Sequence, residues 1–224
     1  MTSLLWFRND LRTHDNPALN YFLNLPSSPH TREAIFFISE KQWQTHDWSP
    51  IKIDFIKRHA YALVDELINF NIELKLVEVE DFASQLTYLK SYCANNEITK
   101  IIANSELEFN EQQRDKALID AGVPLILHES DVIAPKGKIL NQSGKMFKVF
   151  TPFKKAWLQY IRQYSFEYLG KPSTKEQIKQ PFQASPSSNS GISKNWPLAT
   201  DFEKNTLSYF YQKKLNRYDE VRDV

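Results

Sequence analysis

The chain of 224 residues holds one cysteine, Cys93, which excludes a disulfide framework and a multi-thiolate metal site. A reducing, cytoplasmic setting is expected from that usage. The five histidines (14, 30, 46, 59 and 128) are scattered, with no pair at the spacing of helical metal ligands. Neither sign of charge is in excess: Lys+Arg number 28 against 27 Asp+Glu, a net +1. The basic footprint that neutralises phosphates is therefore missing, and this chain alone is expected to hold DNA weakly. No apolar run approaches the length of a membrane span, so no membrane association is expected. Met1-Thr2-Ser3-Leu4 lacks the basic start and long apolar stretch of a signal peptide. Glycine is scarce, with five in all, and none follows the first predicted strand. Arg8-Asn9-Asp10 stands where a phosphate-cradling Gly-x-Gly would sit, which argues against a dinucleotide-binding dehydrogenase.

What is present reads as a globular domain, with 42% hydrophobic and 25% charged residues and enough chain to bury a full core. Apolar strand-like runs alternate with helix-like segments. Ser3 to Phe7, Ala34 to Ile38, Leu74 to Val79, Lys100 to Ala103 and Pro124 to Leu127 predict five strands. Between them, Asp15 with Pro17, Ser49-Pro50, Asp81, and Asn110 with Gln113 supply helix-start signals, and Gly122 a stop. The expected fold is α/β, a five-stranded parallel Rossmann-like sheet with helices on both faces. Residues 136–150 predict a hairpin or an ordered loop. Thr151-Pro152 opens an amphipathic helix carrying Phe153, Trp157, Ile161 and Tyr164 on one stripe. From Lys171 to about Thr200 prolines and serines accumulate, the signature of a linker. A last helix is predicted from Asp201 to Arg217.

Two blocks carry a family signature. The first is Leu5-Trp6-Phe7-Arg8-Asn9-Asp10-Leu11-Arg12 with His14-Asp15-Asn16-Pro17-Ala18-Leu19. The second is Gly144-Lys145-Met146-Phe147-Lys148-Val149-Phe150-Thr151-Pro152-Phe153 with Ala156-Trp157. On these the chain resembles the amino-terminal domain of the DNA photolyase and cryptochrome family, most of all the bacterial folate-type photolyases of cyclobutane pyrimidine dimers. The resemblance implies a light-harvesting role for an antenna-binding α/β domain, residues 1–170. It implies an inter-domain linker over 171–200, and over 201–224 the start of a connection to a helical FAD domain that is not in this chain. That domain would bind UV-damaged DNA, and its lyase chemistry would belong to a longer, monomeric parent; the fragment alone is expected to be inactive. No catalytic residue is carried over.

The resemblance also implies an antenna cofactor, 5,10-methenyltetrahydrofolate, in the cleft between the two domains. His46, Asn110 and Glu111 match the family's folate contacts. A pterin presents an amino group beside a ring nitrogen, an edge that the Glu111 carboxylate can hold with two charge-assisted hydrogen bonds. Each of the three residues also has a plainer reading: His46 as a surface residue, Asn110 as a helix cap, Glu111 as a complement to a helix dipole. Two further readings of the chain stay open, a cryptochrome-type photoreceptor domain and a cofactor-free scaffold. Arg8, Asp10 and Arg12 are expected to form an ion-pair network at the first loop rather than a catalytic group. Cys93 is expected in the core. Lys145, Lys148, Lys154 and Lys155 fit a solvated face at least as well as a DNA contact.

Overall fold

The computed structural model describes residues 2–26, 32–164, 168–173, 191–199 and 202–221. Five parallel strands, β1 (Thr2–Phe7), β2 (Arg32–Ile38), β3 (Ile72–Glu78), β4 (Ile98–Asn104) and β5 (Leu125–His128), form one sheet in the order β3-β2-β1-β4-β5. Each strand is the apolar run read in the sequence, extended or shifted by one or two residues. Alternate residues face opposite ways. Leu5, Phe7, Ala34, Phe36 and Ile102 therefore pack against α1 (Pro17–Asn24) and α3 (Pro50–Ile68). Leu4, Trp6, Ile35, Phe37 and Ile101 pack against α4 (Phe82–Asn95) and α5 (Phe109–Asp120). With both faces covered, β1 and β2 must be apolar nearly throughout.

The helix starts depart from expectation in instructive ways. Asn16, not Asp15, caps α1, its side chain accepting from the Leu19 amide at 3.0 Å. Asp15 sits at φ 45° and serves elsewhere, its backbone amide donating to the Gly170 carbonyl at 2.8 Å. Asn110 does not cap α5: Glu108 occupies that position, without a side-chain cap bond, so the capping box with Gln113 does not form. Ser49 and Asp81 do cap α3 and α4. On α3 the buried stripe runs through Ile53, Ala60, Leu63 and Leu67, and Ile51 is exposed. A short helix, α2 (Glu40–Thr45), was not expected at all; it buries no residue and has no apolar period to betray it.

Residues 136–150 take the ordered-loop alternative. Asn141 organises the turn, its side chain accepting from the Ser143 and Lys145 amides at 3.0 Å each. The amphipathic helix α6 (Phe150–Gln163) forms, but fully buries none of its residues. The predicted last helix is π-type over Phe202–Leu207 and Phe210–Lys214, then a 3₁₀ turn over Leu215–Arg217 and a short α7 (Tyr218–Val221). Phe202, Tyr211 and Leu215 are exposed there, so no packed face holds a regular α-helix. Much of the predicted linker lies outside the described residues. Cys93 is half-buried beside the second core cluster, where burial raises its thiol pKa. Among the described residues no helix is long and apolar enough to cross a membrane, and no cluster of His, Cys, Asp and Glu could hold a metal ion.

Candidate functional site

The crevice beyond the carboxyl ends of β1 and β4 is where such sheets place ligands, because the helices leave their strands in opposite directions there. Its floor is a buried charge lattice. Arg8 leaves β1 and donates from Nη1 to Asp115 Oδ2 at 2.8 Å and to the Asn104 carbonyl at 3.1 Å. Arg114 Nη2 reaches Glu106 Oε2 and Asp115 Oδ1, each at 2.8 Å. Asn9 Nδ2 donates to Glu106 Oε1 at 2.7 Å. Asp10 accepts the Arg8 amide at 2.7 Å and Asn104 Nδ2 at 2.5 Å. Both guanidinium groups lie over the Trp6 ring, at 4.1 and 4.7 Å. The expected ion-pair network is thus met by Arg8, with Glu106 and Asp115 as its partners, while Asp10 joins by hydrogen bonds from the Arg8 amide and Asn104 and Arg12 donates to the Asp15 carbonyl. Burial and the neighbouring Arg114 lower the Arg8 pKa. Burial raises the Glu106 carboxyl despite the pull of Arg114 and Arg8. Both directions mark a lattice that is costly to desolvate, and it holds only while every partner stays in place.

Against this floor lies a small cleft of about 60 Å³. Aromatic rings form much of its wall: Trp6, Phe36, Phe37, Trp43, Trp48 and Phe82. Arg8, Gln42, His46, Gln85 and Glu111 also open onto it. Four buried atoms of these side chains have no hydrogen-bond partner: Arg8 Nε, Arg8 Nη2, Gln42 Oε1 and Gln85 Oε1. Each unsatisfied buried group costs about 1–3 kcal/mol. All four atoms are sealed from solvent, so they add to the cost of folding this floor. A larger cavity of about 400 Å³ lies beyond β4 and β5, lined by Leu107, Ile119, Leu127 and Val132. None of the four unpaired atoms belongs to a residue lining it.

Two of the three residues singled out by sequence meet at the cleft. His46 is the C-cap of α2, its amide bonded to the Gln42 and Trp43 carbonyls at 3.1 and 3.2 Å. Asp47 at φ 56° reverses the chain, and the Trp48 amide returns to the Trp43 carbonyl at 3.0 Å. The two indoles stack at 5.4 Å and 11°, with Lys52 over Trp48 at 3.4 Å. His46 is thereby presented, exposed, at one lip. Glu111 forms the other lip from the first turn of α5, half-buried and without a hydrogen bond or ion pair to another described residue. Asn110 is exposed beside it and does not line the cleft. Sequence reading missed Gln42 and Gln85, and the Glu106, Arg114 and Asp115 side of the floor. A charged residue three positions after the apolar run of β4 was the available signal for Glu106.

Residues 3–177 match the family model described as DNA photolyase. The chain is 35% identical over 176 residues to the deoxyribodipyrimidine photo-lyase of Escherichia coli, an alignment covering 78% of this chain and 37% of that protein. It is 31% identical over 229 residues to the deoxyribodipyrimidine photo-lyase of Buchnera aphidicola, covering 99% of this chain and 47% of that protein. The chain thus spans less than half the length of these relatives. Among solved structures, a cryptochrome from Synechocystis superposes with a TM-score of 0.72 at 20% identity, over 99% of this chain and 49% of that one, which shows the fold. On the match across most of its length and the identity to these relatives, the chain belongs to the DNA photolyase family.

Proposed function

We propose that this chain is the light-harvesting domain of a deoxyribodipyrimidine photolyase. Residues 1–170 form the antenna-binding unit, 171–200 the linker, and 201–224 the connection to a helical FAD domain. Repair of cyclobutane pyrimidine dimers in DNA, driven by light and an electron from FAD, belongs to that second domain. The observation that supports the reading is the convergence of His46 and Glu111 on one aromatic cleft at the switch point of the sheet. The proposed occupant is 5,10-methenyltetrahydrofolate, which when bound supplies near-UV and blue absorption and passes that energy to the flavin.

The residues fit such a group. Glu111 is a carboxylate with free acceptors at the cleft lip, suited to the paired donors of a pterin edge. His46 offers a ring face or a hydrogen bond from the opposite lip. Asn110, exposed beside Glu111, is proposed to meet parts of the cofactor outside the cleft. At about 60 Å³ the cleft falls well short of the roughly 300–1,000 Å³ of a small-molecule site. This chain therefore supplies one wall, and the helical domain is proposed to supply the other.

A second reading is supported by the Arg8, Gln42 and Gln85 side chains, which line the cleft. Their donors and acceptors suit a flat ring bearing carbonyl and N–H groups, such as a deazaflavin or flavin seated deeper than a folate. An absorption spectrum of the purified full-length parent decides. Folate plus flavin supports the first reading and deazaflavin plus flavin the second; flavin alone overturns the antenna role.

A further inference from the structure

Outside the lining of the cleft, α3 carries a second polar constellation. Asp54 and Arg58 lie one turn apart, with His59 next in sequence, and residues 191–199 fold onto them. Asp54 Oδ2 accepts from the Ser193 amide at 2.9 Å and from its hydroxyl at 2.5 Å. Arg58 Nη1 donates to the Ser193 carbonyl at 2.6 Å, to its Oγ at 2.9 Å and to the Trp196 carbonyl at 3.1 Å. Ser193 is 0% exposed and Leu198 7%, although the residues between them are exposed. Gly191 adopts φ 123°, and an added Cβ would collide with the Asp54 carboxylate, so the segment's entry admits only glycine. The Trp196 ring meets Phe55 at 6.2 Å.

His59 closes the far end. Its Nδ1 lies 3.0 Å from the Phe55 carbonyl, which can only accept, and its Nε2 lies 3.2 Å from the Ala199 amide, which can only donate. The ring is therefore neutral with its proton on Nδ1. A proton on Nε2 would set N–H against N–H. The charged groups around it come from three elements. On α3 these are Arg58 and Glu66. The loop before α1 brings Arg12, His14 and Asp15 to the same cavity of about 500 Å³, and the 168–171 segment brings Tyr168 and Lys171. Glu66 is engaged by the Thr13 hydroxyl at 2.6 Å. Lys194, the only charge within 191–199, is exposed.

We propose that Asp54, Arg58 and His59 form a latch that holds residues 191–199 on α3 and lets go of the Ala199 end when His59 takes up a proton. Burial, reinforced by the Arg58 cation, holds the His59 pKa below its ordinary value, against the Phe55 carbonyl and Glu66. An unlatched His59 titrates near about 6.5, so the latch is at full strength above that pH. Below it, opening takes up a proton, and the open fraction rises by up to about tenfold per pH unit. Burial would raise the Asp54 carboxyl, but the Ser193 hydrogen bonds and the Arg58 charge hold it below the usual range. Asp54 therefore stays ionised across the pH window in which His59 changes.

Backbone amide exchange on the full chain tests the latch, with the Ile101 amide of β4 as the core reference. Between about pH 7 and about pH 5.5, protection at Ala199 is expected to fall several-fold while Ile101 is unchanged. His59→Gln keeps an acceptor without a titrating group and should flatten that fall. Asp54→Ala should strip protection from Ser193 at both pH values. Equal Ala199 protection at the two pH values overturns the proposal. So does an undiminished fall in His59→Gln, or full Ser193 protection in Asp54→Ala.

Discussion

Over β1 and β4 the carboxyl rim is a lattice of buried charge, whereas over β2 it is a short exposed helix held by stacked rings. In the first region Arg8 and Arg114 share Glu106 and Asp115, all four less than one-tenth exposed. In the second, α2 has no fully buried residue, Trp43 packs half-buried on the first core cluster, and the Trp43–Trp48 stack with Lys52 holds its last turn. Both regions border one cleft, yet they respond to damage differently. A buried lattice fails as a unit, because removing one ion strands its partners in low dielectric. An exposed aromatic turn loses only its own contacts.

The largest effect should follow from breaking the lattice. Arg8→Ala leaves Asp115 Oδ2 and the Asn104 carbonyl without the Arg8 donor, with Arg114 still on Oδ1, and is expected to cost about 3–5 kcal/mol of stability. Denaturant unfolding of the variant measures it, and a loss under 1 kcal/mol would show that water replaces the guanidinium. The corresponding change across the cleft, Trp48→Ala, removes a stacked ring and a cation–π contact and should cost about 1–2 kcal/mol. If the two variants lose equal stability, the contrast between the regions disappears.

The same contrast explains what could be read in advance. The strands were legible because burial on both faces forces continuous apolar runs, as in Leu4 to Phe7 and Ala34 to Ile38. The lattice was half legible. Arg8 and Asp10 are odd enough after an apolar strand to suggest ion pairs, but Asp115 lies 107 residues from Arg8. On a helix as polar as α5, a buried arginine and a surface one read alike. Helix α2 was not legible, since its placement comes from the Trp43–Trp48 contact and the Asp47 reversal rather than from period. The cleft residues came from the match to the family's folate contacts, since nothing in composition or spacing separates Glu111 from an ordinary first-turn glutamate.

Stability and binding should separate at the lips of the cleft. Glu111 has no described partner, so Glu111→Ala should leave the unfolding midpoint within about 0.5 kcal/mol of the parent. Loss of charge-assisted bonds worth about 1.5–3 kcal/mol each should weaken folate binding in the full-length protein by tenfold to a hundredfold or more. Folate fluorescence on titration reads the affinity. Retention of folate by the variant would remove Glu111 from the site. Flavin-only repair in the same variant should be unchanged, which separates loss of the antenna from loss of the fold.

The smallest effect distinguishes two roles for Asn110. A helix cap replaced by alanine costs about 0.5–2 kcal/mol, whereas an exposed first-turn residue costs less than about 0.5. Glu108 holds the cap position here, so Asn110→Ala should unfold with the parent within that smaller margin. Any consequence should then appear in folate affinity, and it should be weaker than that of Glu111→Ala, because Asn110 stands outside the cleft. A stability loss above 1 kcal/mol with unchanged folate affinity would return Asn110 to the role of a cap. Glu111 would then be the only residue of α5 proposed to touch the cofactor.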